Sequence, residues 1–204
     1  MRKEKKMELA EKLRELGYQV SEYETAAEAA EALDKELDGK SIGFGGSATV
    51  SQMGLYEKLK AHNRVVWHGD IPAGKTAMDM RLLARNTEIY ISSVNAVSEK
   101  GEIVNIDATG NRVSEISFGH KTVILLIGRN KVTKDLESAV LRARNIAAPQ
   151  NTRRLGKKTP CAEKADRCYD CASADRLCRS LSILLYPPLG AEYRVVLINE
   201  DLGF

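Results

Sequence analysis

KSIGFGGSATVSQMGLYEKLK, residues 40–60, passes from an apolar step through a glycine-rich turn into a segment that places Leu55 and Leu59 one helical turn apart. The hydrophobic period changes across Gly43-Phe44-Gly45-Gly46-Ser47, so the stretch reads as a strand, a tight loop and a helix. The same alternation extends outward in both directions. Upstream, Leu9, Leu13 and Leu16 share a helical face that stops at Gly17, and Tyr18 and Val20 begin a short extended run. Thr25-Ala-Ala-Glu28 then spells a capping box for a helix through Ala29, Ala32, Leu33 and Leu37, ending at Gly39.

Downstream, residues 64–68 (RVVWH) and 88–93 (EIYISS) read as buried strands on either side of a helix from Thr76 to Asn86. KTVILLIG, residues 121–128, is an apolar, β-branched run of the kind that a parallel sheet buries on both faces. GEIVNI and NRVSEIS alternate apolar and polar residues around Asp107-Ala-Thr-Gly110, which predicts an antiparallel hairpin. Thr133 is expected to cap a helix with Asp135 and Glu137 in its first turn and Leu136, Val140 and Ala143 facing inward. YRVVLINEDLGF supplies a last strand, and the residues before it, 149–180, form a cysteine-bearing excursion. The alternation predicts one domain over residues 1–204, of α/β class, with an open and mainly parallel sheet.

Composition narrows the function. The 204 residues are 43% hydrophobic and 29% charged, the balance of a globular protein, with a formal net charge of only +3 and 5% aromatics. That combination argues against nucleic acid, which needs a concentrated basic face and stacking platforms. No apolar run approaches the ~20 residues of a membrane span, and the basic start, MRKEKKMELAEKL, lacks the apolar core of a secretion signal, so a cytoplasmic location is expected.

The glycine loop is the first site candidate. Gly43, Gly45 and Gly46 allow close backbone approach, and Ser47 and Thr49 add hydroxyls, so a phosphate, carboxylate or nucleotide tail fits at the start of the following helix. The second reading is purely local: the glycines make the turn and Ser47 or Thr49 caps the helix. Gly-Lys-Ser/Thr does not follow, which separates the loop from a P-loop, and Ala48 stands where a dinucleotide fingerprint has its third glycine. Asn95, Asp107 and Asn111 fall at strand ends and turns, where they either form a polar wall opposite the loop or stabilise the turns themselves. His68 is the one histidine at an expected C-terminal strand end. No nucleophile is spaced with a base, and the residues alone write no enzymatic mechanism.

All four cysteines lie within one short stretch, as Cys161-x6-Cys168-x2-Cys171-x6-Cys178. Four clustered thiols in a reducing compartment point to metal ligation. From Asn151 to Ser180 eight Lys/Arg face four Asp/Glu, a field that favours thiolates and offsets the charge of a four-thiolate centre. The spacing matches neither a zinc ribbon nor a ferredoxin repeat. A [4Fe–4S] cluster, zinc, a redox-active dithiol and four free thiols all stay open.

Several of these motifs together resemble the LUD-domain (lactate utilization, DUF162) family. They are Gly43-Phe44-Gly45-Gly46-Ser47 with Gly54-Leu55, Ser92-Ser93-Val94-Asn95-Ala96-Val97 running into Gly101 to Asp107, Gly110-Asn111-Arg112-Val113, and IGRNKVTKDLESAVLRARNIAAPQNTRRL leading to Thr159-Pro160-Cys161. The resemblance covers nearly the whole chain and is to the short members with a cysteine-bearing tail. It implies a fold similar to the sugar-phosphate isomerase and coenzyme A transferase group. It also implies a link to lactate-related carbon and redox metabolism beside iron–sulfur proteins, which tilts the cysteines toward a [4Fe–4S] cluster. Three functions follow from it. The leading one is a protein that binds a small anionic metabolite or nucleotide-like ligand at the glycine loop and a metal or iron–sulfur centre through the four cysteines. The others are a transferase or isomerase acting on a phosphate- or CoA-bearing substrate, and a redox assembly subunit docking an iron–sulfur partner. An oligomer is compatible with each.

Overall fold

A computed structural model describes residues 3–204. The chain runs through α1 (Lys3–Glu15), β1 (Gln19–Tyr23), α2 (Ala26–Glu36) and β2 (Ser41–Phe44), then the glycine loop, α3 (Ala48–Gln52), α4 (Leu55–Lys60) and β3 (Arg64–Trp67). Next come α5 (Ala77–Ala84), β4 (Ile89–Ser93), β5 (Ala96–Ser98), β6 (Ile103–Asp107), α6 (Asn111–Ser117) and β7 (Thr122–Gly128). β8 (Val132–Thr133), α7 (Leu136–Arg142), α8 (Ala148–Arg154), α9 (Pro160–Lys164), β9 (Ser180–Leu184) and β10 (Glu192–Ile198) complete it.

Six strands form a wholly parallel sheet in the order β1-β10-β7-β4-β2-β3. The apolar run of β7 explains its central place. Ile124 and Leu126 face the cluster built with Ala29 and Leu33 of α2 and Leu55 and Leu59 of α4, while Val123, Leu125 and Ile127 face Leu9 and Leu13 of α1. Each such side chain, taken fully from water, contributes about 2 kcal/mol, and only a strand covered on both sides collects it at every position. A second, mixed sheet of order β8-β5-β6-β9 lies against the α1 side through Val97, Ile103 and Leu184. No helix among the described residues is long and apolar enough to cross a membrane.

Two sequence expectations are corrected. The hairpin is β5 with β6, paired Ala96↔Val104 and Val97↔Ile103, whereas NRVSEIS is the helix α6. In α6 Val113 and Ile116 are also three residues apart, and seven residues are too few to separate the two periods. What decides is the Asp107 carboxylate, which accepts the N–H groups of Thr109, Gly110 and Arg112 and, with Gly110 left-handed at φ +85°, turns the chain into a helix. The cap of α7 is Asp135, whose side chain accepts the Ser138 N–H at 2.8 Å, and Thr133 belongs to β8.

α7 continues through a π-helical turn, residues 143–147, into α8. Proline in a helix clashes with the carbonyl four residues back, here that of Asn145. The wider turn, in which the Ala148 N–H reaches back to the Ala143 carbonyl, accommodates Pro149 without ending the helix.

α2 and the end of α4 are clipped by His62, whose Nε2 and Nδ1 lie 2.9 Å and 3.0 Å from Asp34 and Asp38. Hydrogen bonds to Asp34 first and Asp38 second raise the pKa of His62 above its ordinary value. A raised histidine contributes stability below its unfolded pKa and loses it as pH rises through the folded one. Wild type is therefore expected to lose melting temperature relative to His62→Gln as pH rises from 6 to above neutrality. Parallel pH curves for the two proteins would remove the clip from the account.

Candidate functional site

β2, β4 and β7 end side by side, and the chain leaving β2 turns outward toward β3 while that leaving β4 turns to the second sheet. Such divergence opens the crevice in which α/β sheets gather their ligands. A cavity of about 520 Å³ occupies it, a size suited to a small molecule.

The glycine loop divides into two parts. A Cβ on Gly43 would stand 2.9 Å from the Ala84 carbonyl oxygen and 2.7 Å from Thr87 Oγ1. One on Gly45 would stand 2.5 Å from Ser92 Oγ. These two glycines let β2 and the loop lie against α5 and β4, and neither lines the cavity. Gly46, Ser47 and Thr49 do line it, with Gly46 lying against His68. Ser47 is the N-cap of α3 and accepts the Val50 N–H at 3.3 Å. With five residues, α3 supplies little macrodipole, so positive charge here comes from side chains.

Lys131, just past the end of β7, lies beneath the loop and is 3% exposed. Its Nζ donates to Thr49 Oγ1 at 2.8 Å and Ser93 Oγ at 2.6 Å. The Ser93 hydroxyl donates its own proton to the Leu126 carbonyl, so at the lysine it acts as acceptor. Burial, and then the charges of Arg142 and Arg112, hold the Lys131 pKa well below the ordinary lysine value. Arg142 is also buried and is held by main-chain oxygens, those of Asn130, Asn95 and Phe204. Arg112 reaches the Ile106 carbonyl at 2.6 Å and stands 3.5 Å from Asp107. Among the described residues the one acidic side chain paired with any of these three cations is Asp107, beside Arg112. Buried charge left without a counterion is costly, and a lysine meets that cost by losing its proton or by gaining an anion.

The other polar candidates converge on the same cavity with differing duties. Asp107 is committed to the turn before α6 and to Arg112. Asn95 spends its Oδ1 on the Ile106 N–H and Arg112, which leaves its amide N–H groups for the cavity that it lines. Asn111, in the first turn of α6, lines it too. Cations that no motif marks, Arg81, Arg112, Lys131, Arg154 and Lys157, line the cavity, against Asp107 as the one acidic side chain among the described residues there. Arg81 Nε is buried without a hydrogen-bond partner. Burial first, and Arg81 second, lower the pKa of His68 and favour its neutral ring. The usable signal for Lys131 is its place at the C-terminal end of the strand buried on both faces.

The four cysteines are not drawn together. Cys161 is buried in the first turn of α9, its Sγ 3.2 Å from Thr159 Oγ1. Cys168 is half-buried and accepts the Asp170 N–H, with Arg144 at 3.8 Å. Cys178 rests on the cluster of Ala139 and Ala143 and forms part of the cavity wall. Cys171 is half-buried, beside Arg176, which donates to its carbonyl. Among the described residues no three His, Cys, Asp or Glu side chains stand so as to hold a metal ion. The expected ligand set of Cys161, Cys168, Cys171 and Cys178 is thus not assembled in this arrangement of the described residues.

A profile of the LUD domain matches residues 6–198. The chain is similar over 97% of its length, and 98% of the other's, to the crystal structure of a DUF162 family protein from Deinococcus radiodurans, at 12% identity and a TM-score of 0.57. Shorter likenesses are to eIF2B beta from Chaetomium thermophilum (14% identity, 55% of this chain and 44% of that one, TM-score 0.38) and ribose 5-phosphate isomerase from Plasmodium falciparum (16%, 53% and 52%, 0.33). No curated protein matches the chain.

Proposed function

The chain belongs to the LUD-domain family, and from that premise we propose that it binds a small anionic metabolite in the cavity between the glycine loop and α6, as part of lactate-linked carbon metabolism in the cytoplasm. The observation that carries this reading is the charge of the cavity: five Lys/Arg line it against one Asp, and that Asp is already engaged by backbone N–H groups. An anion there would supply the counter-charge that Lys131 and Arg81 lack and would be held by charge-assisted hydrogen bonds. The glycine loop shapes the site, and the cations give it affinity.

Lactate and pyruvate are the first ligands to test, given the family. Inorganic phosphate belongs beside them because the guanidinium forks of Arg81 and Arg154 suit phosphate as well as carboxylate, the feature that keeps a phosphate- or CoA-bearing substrate in view. Melting temperature is measured against concentration of each anion at constant ionic strength, with chloride as reference. A ligand at a hundred times its Kd stabilises the folded state by about 2.7 kcal/mol, on the order of 5–10 °C for a chain of this size. A saturable rise with at least one anion is expected. Curves that track chloride for all three would remove the proposal.

A further inference from the structure

We infer that Lys131 is a covalent site: its amine condenses with the carbonyl carbon of a small carbonyl-bearing anion to form an imine. This deepens the anion-binding reading and rests on it. Nζ is held at two points. Two N–H groups point at Thr49 Oγ1 and Ser93 Oγ, and Ser93 is fixed as an acceptor because its hydroxyl proton goes to Leu126. A neutral amine held this way has both hydrogens committed and one lone pair left over. Among the described residues no carboxylate pairs with this lysine to keep it protonated, and Arg112 and Arg142 oppose a third positive charge beside them. A desolvated lysine next to other cationic groups is the arrangement that turns an amine into a nucleophile. Lys131 also lines the cavity, so the lone pair serves a chamber that a ligand enters.

The electrophile follows from what surrounds the amine. Arg81 and Arg112 line the same cavity and select a ligand with an anionic group, whereas the amine selects a carbonyl carbon. The ligand class is therefore a carbonyl compound bearing a carboxylate or a phosphate. The Thr49 hydroxyl accepts from Lys131 and still has its own proton to offer a carbonyl oxygen. In the reaction the lone pair forms the C–N bond and the C=O π electrons move to oxygen. One amine proton passes to that oxygen to give a carbinolamine. The oxygen then leaves as water with the second amine proton, and the C=N bond forms. No oxidant or reductant is consumed.

The test is reductive trapping on the wild-type protein. Protein is incubated with cyanoborohydride and pyruvate, or with cyanoborohydride and glyceraldehyde 3-phosphate, and acetone serves as the neutral carbonyl control. Intact mass and peptide mapping locate any adduct, and melting temperature with each probe, without reductant, is recorded in parallel. The expected result is an adduct on Lys131 at least tenfold enriched over any other lysine with one of the two anionic probes and not with acetone. The probe that reacts distinguishes a 2-oxo acid from a sugar phosphate. Probes that raise the melting temperature without enriching Lys131 overturn the covalent inference and leave the anion site standing. Probes that do neither overturn both. Lys131→Arg, which keeps the charge without the nucleophile, is expected to lose the adduct, and retention of labelling in that variant would place the chemistry elsewhere.

Discussion

Replacing Lys131 by Met is expected to weaken anion binding at least tenfold while leaving the protein as stable as wild type or slightly more so. The two effects have separate causes. Methionine has nearly the volume of the lysine stem, so the space beneath the glycine loop stays filled. What disappears is an amine that is 3% exposed, pairs with no carboxylate among the described residues, and stands near Arg112 and Arg142, so that it takes its charge only when an anion enters. Exchanging a buried, poorly paired ionisable group for an apolar side chain of similar size is often neutral or favourable, and here the gain is about 1 kcal/mol after Thr49 and Ser93 lose a donor. In the ligand complex the same change deletes a charge-assisted hydrogen bond worth about 1.5–3 kcal/mol, which weakens binding by tenfold or more. Calorimetric titration and thermal melting of the same preparation read both numbers. A melting temperature 5 °C lower with binding intact would identify Lys131 as a structural pin.

Gly43→Ala should act in the opposite sense, on folding alone. The added methyl would approach Thr87 Oγ1 at 2.7 Å and the Ala84 carbonyl oxygen at 2.9 Å. Neither neighbour yields easily: Ala84 is helix backbone, and Thr87 Oγ1 is tied to the Ala84 and Ile89 carbonyls at 2.7 Å and 3.0 Å. Overpacking of a rigid core costs about 1–3 kcal/mol, which for a chain of this length lowers the melting temperature by roughly 3–10 °C. Because Gly43 lies outside the cavity, the Kd for the anion is expected to change less than threefold at temperatures where the variant is folded. A variant that melts like wild type and binds tenfold more weakly would move Gly43 back into the ligand site.

Where one period dominated, the fold was legible in the chain. KTVILLIG lies at the centre of the parallel sheet because Val123 to Ile127 carry no polar side chain to face water, and Thr25-Ala-Ala-Glu28 is a capping box in fact, its side chain and backbone bonds both formed. NRVSEIS misled because its alternation is also an i, i+3 pattern, and the backbone N–H groups that the preceding Asp107 carboxylate accepts chose between the two. β9, SLSIL, is an edge strand with Leu181 and Ile183 exposed on its outer face. Its pairing with β6 depends on a partner far away in sequence, so no local pattern announces it.

The site was half legible. Ser47, Thr49, Asn95, Asp107 and Asn111 do meet at one cavity, because strand ends and the turns after them gather at the C-terminal edge of a parallel sheet. Their duties were less visible: Ser47 caps a helix, Thr49 holds a lysine and Asp107 builds a turn. Cations escaped notice because 31 Lys/Arg are scattered along the chain, and only the packing shows that Lys131 is buried and Arg81 Nε has no hydrogen-bond partner. For the cysteines the difficulty was the reverse. Proximity in sequence suggested a ligand set, yet Cys161 packs in α9 beside Thr159, Cys178 rests on the α7 core, and no three His, Cys, Asp or Glu side chains among the described residues form a metal-holding group.

The central claim is that this cationic cavity holds an anion, and a crystal structure of the protein grown with the anion that raises its melting temperature most tests it directly. The account predicts anion oxygens at about 2.7–3.2 Å from Lys131 Nζ and from at least one of Arg81, Arg112 and Arg154. An anion bound outside the cavity, with Lys131 still joined only to Thr49 and Ser93, would contradict it.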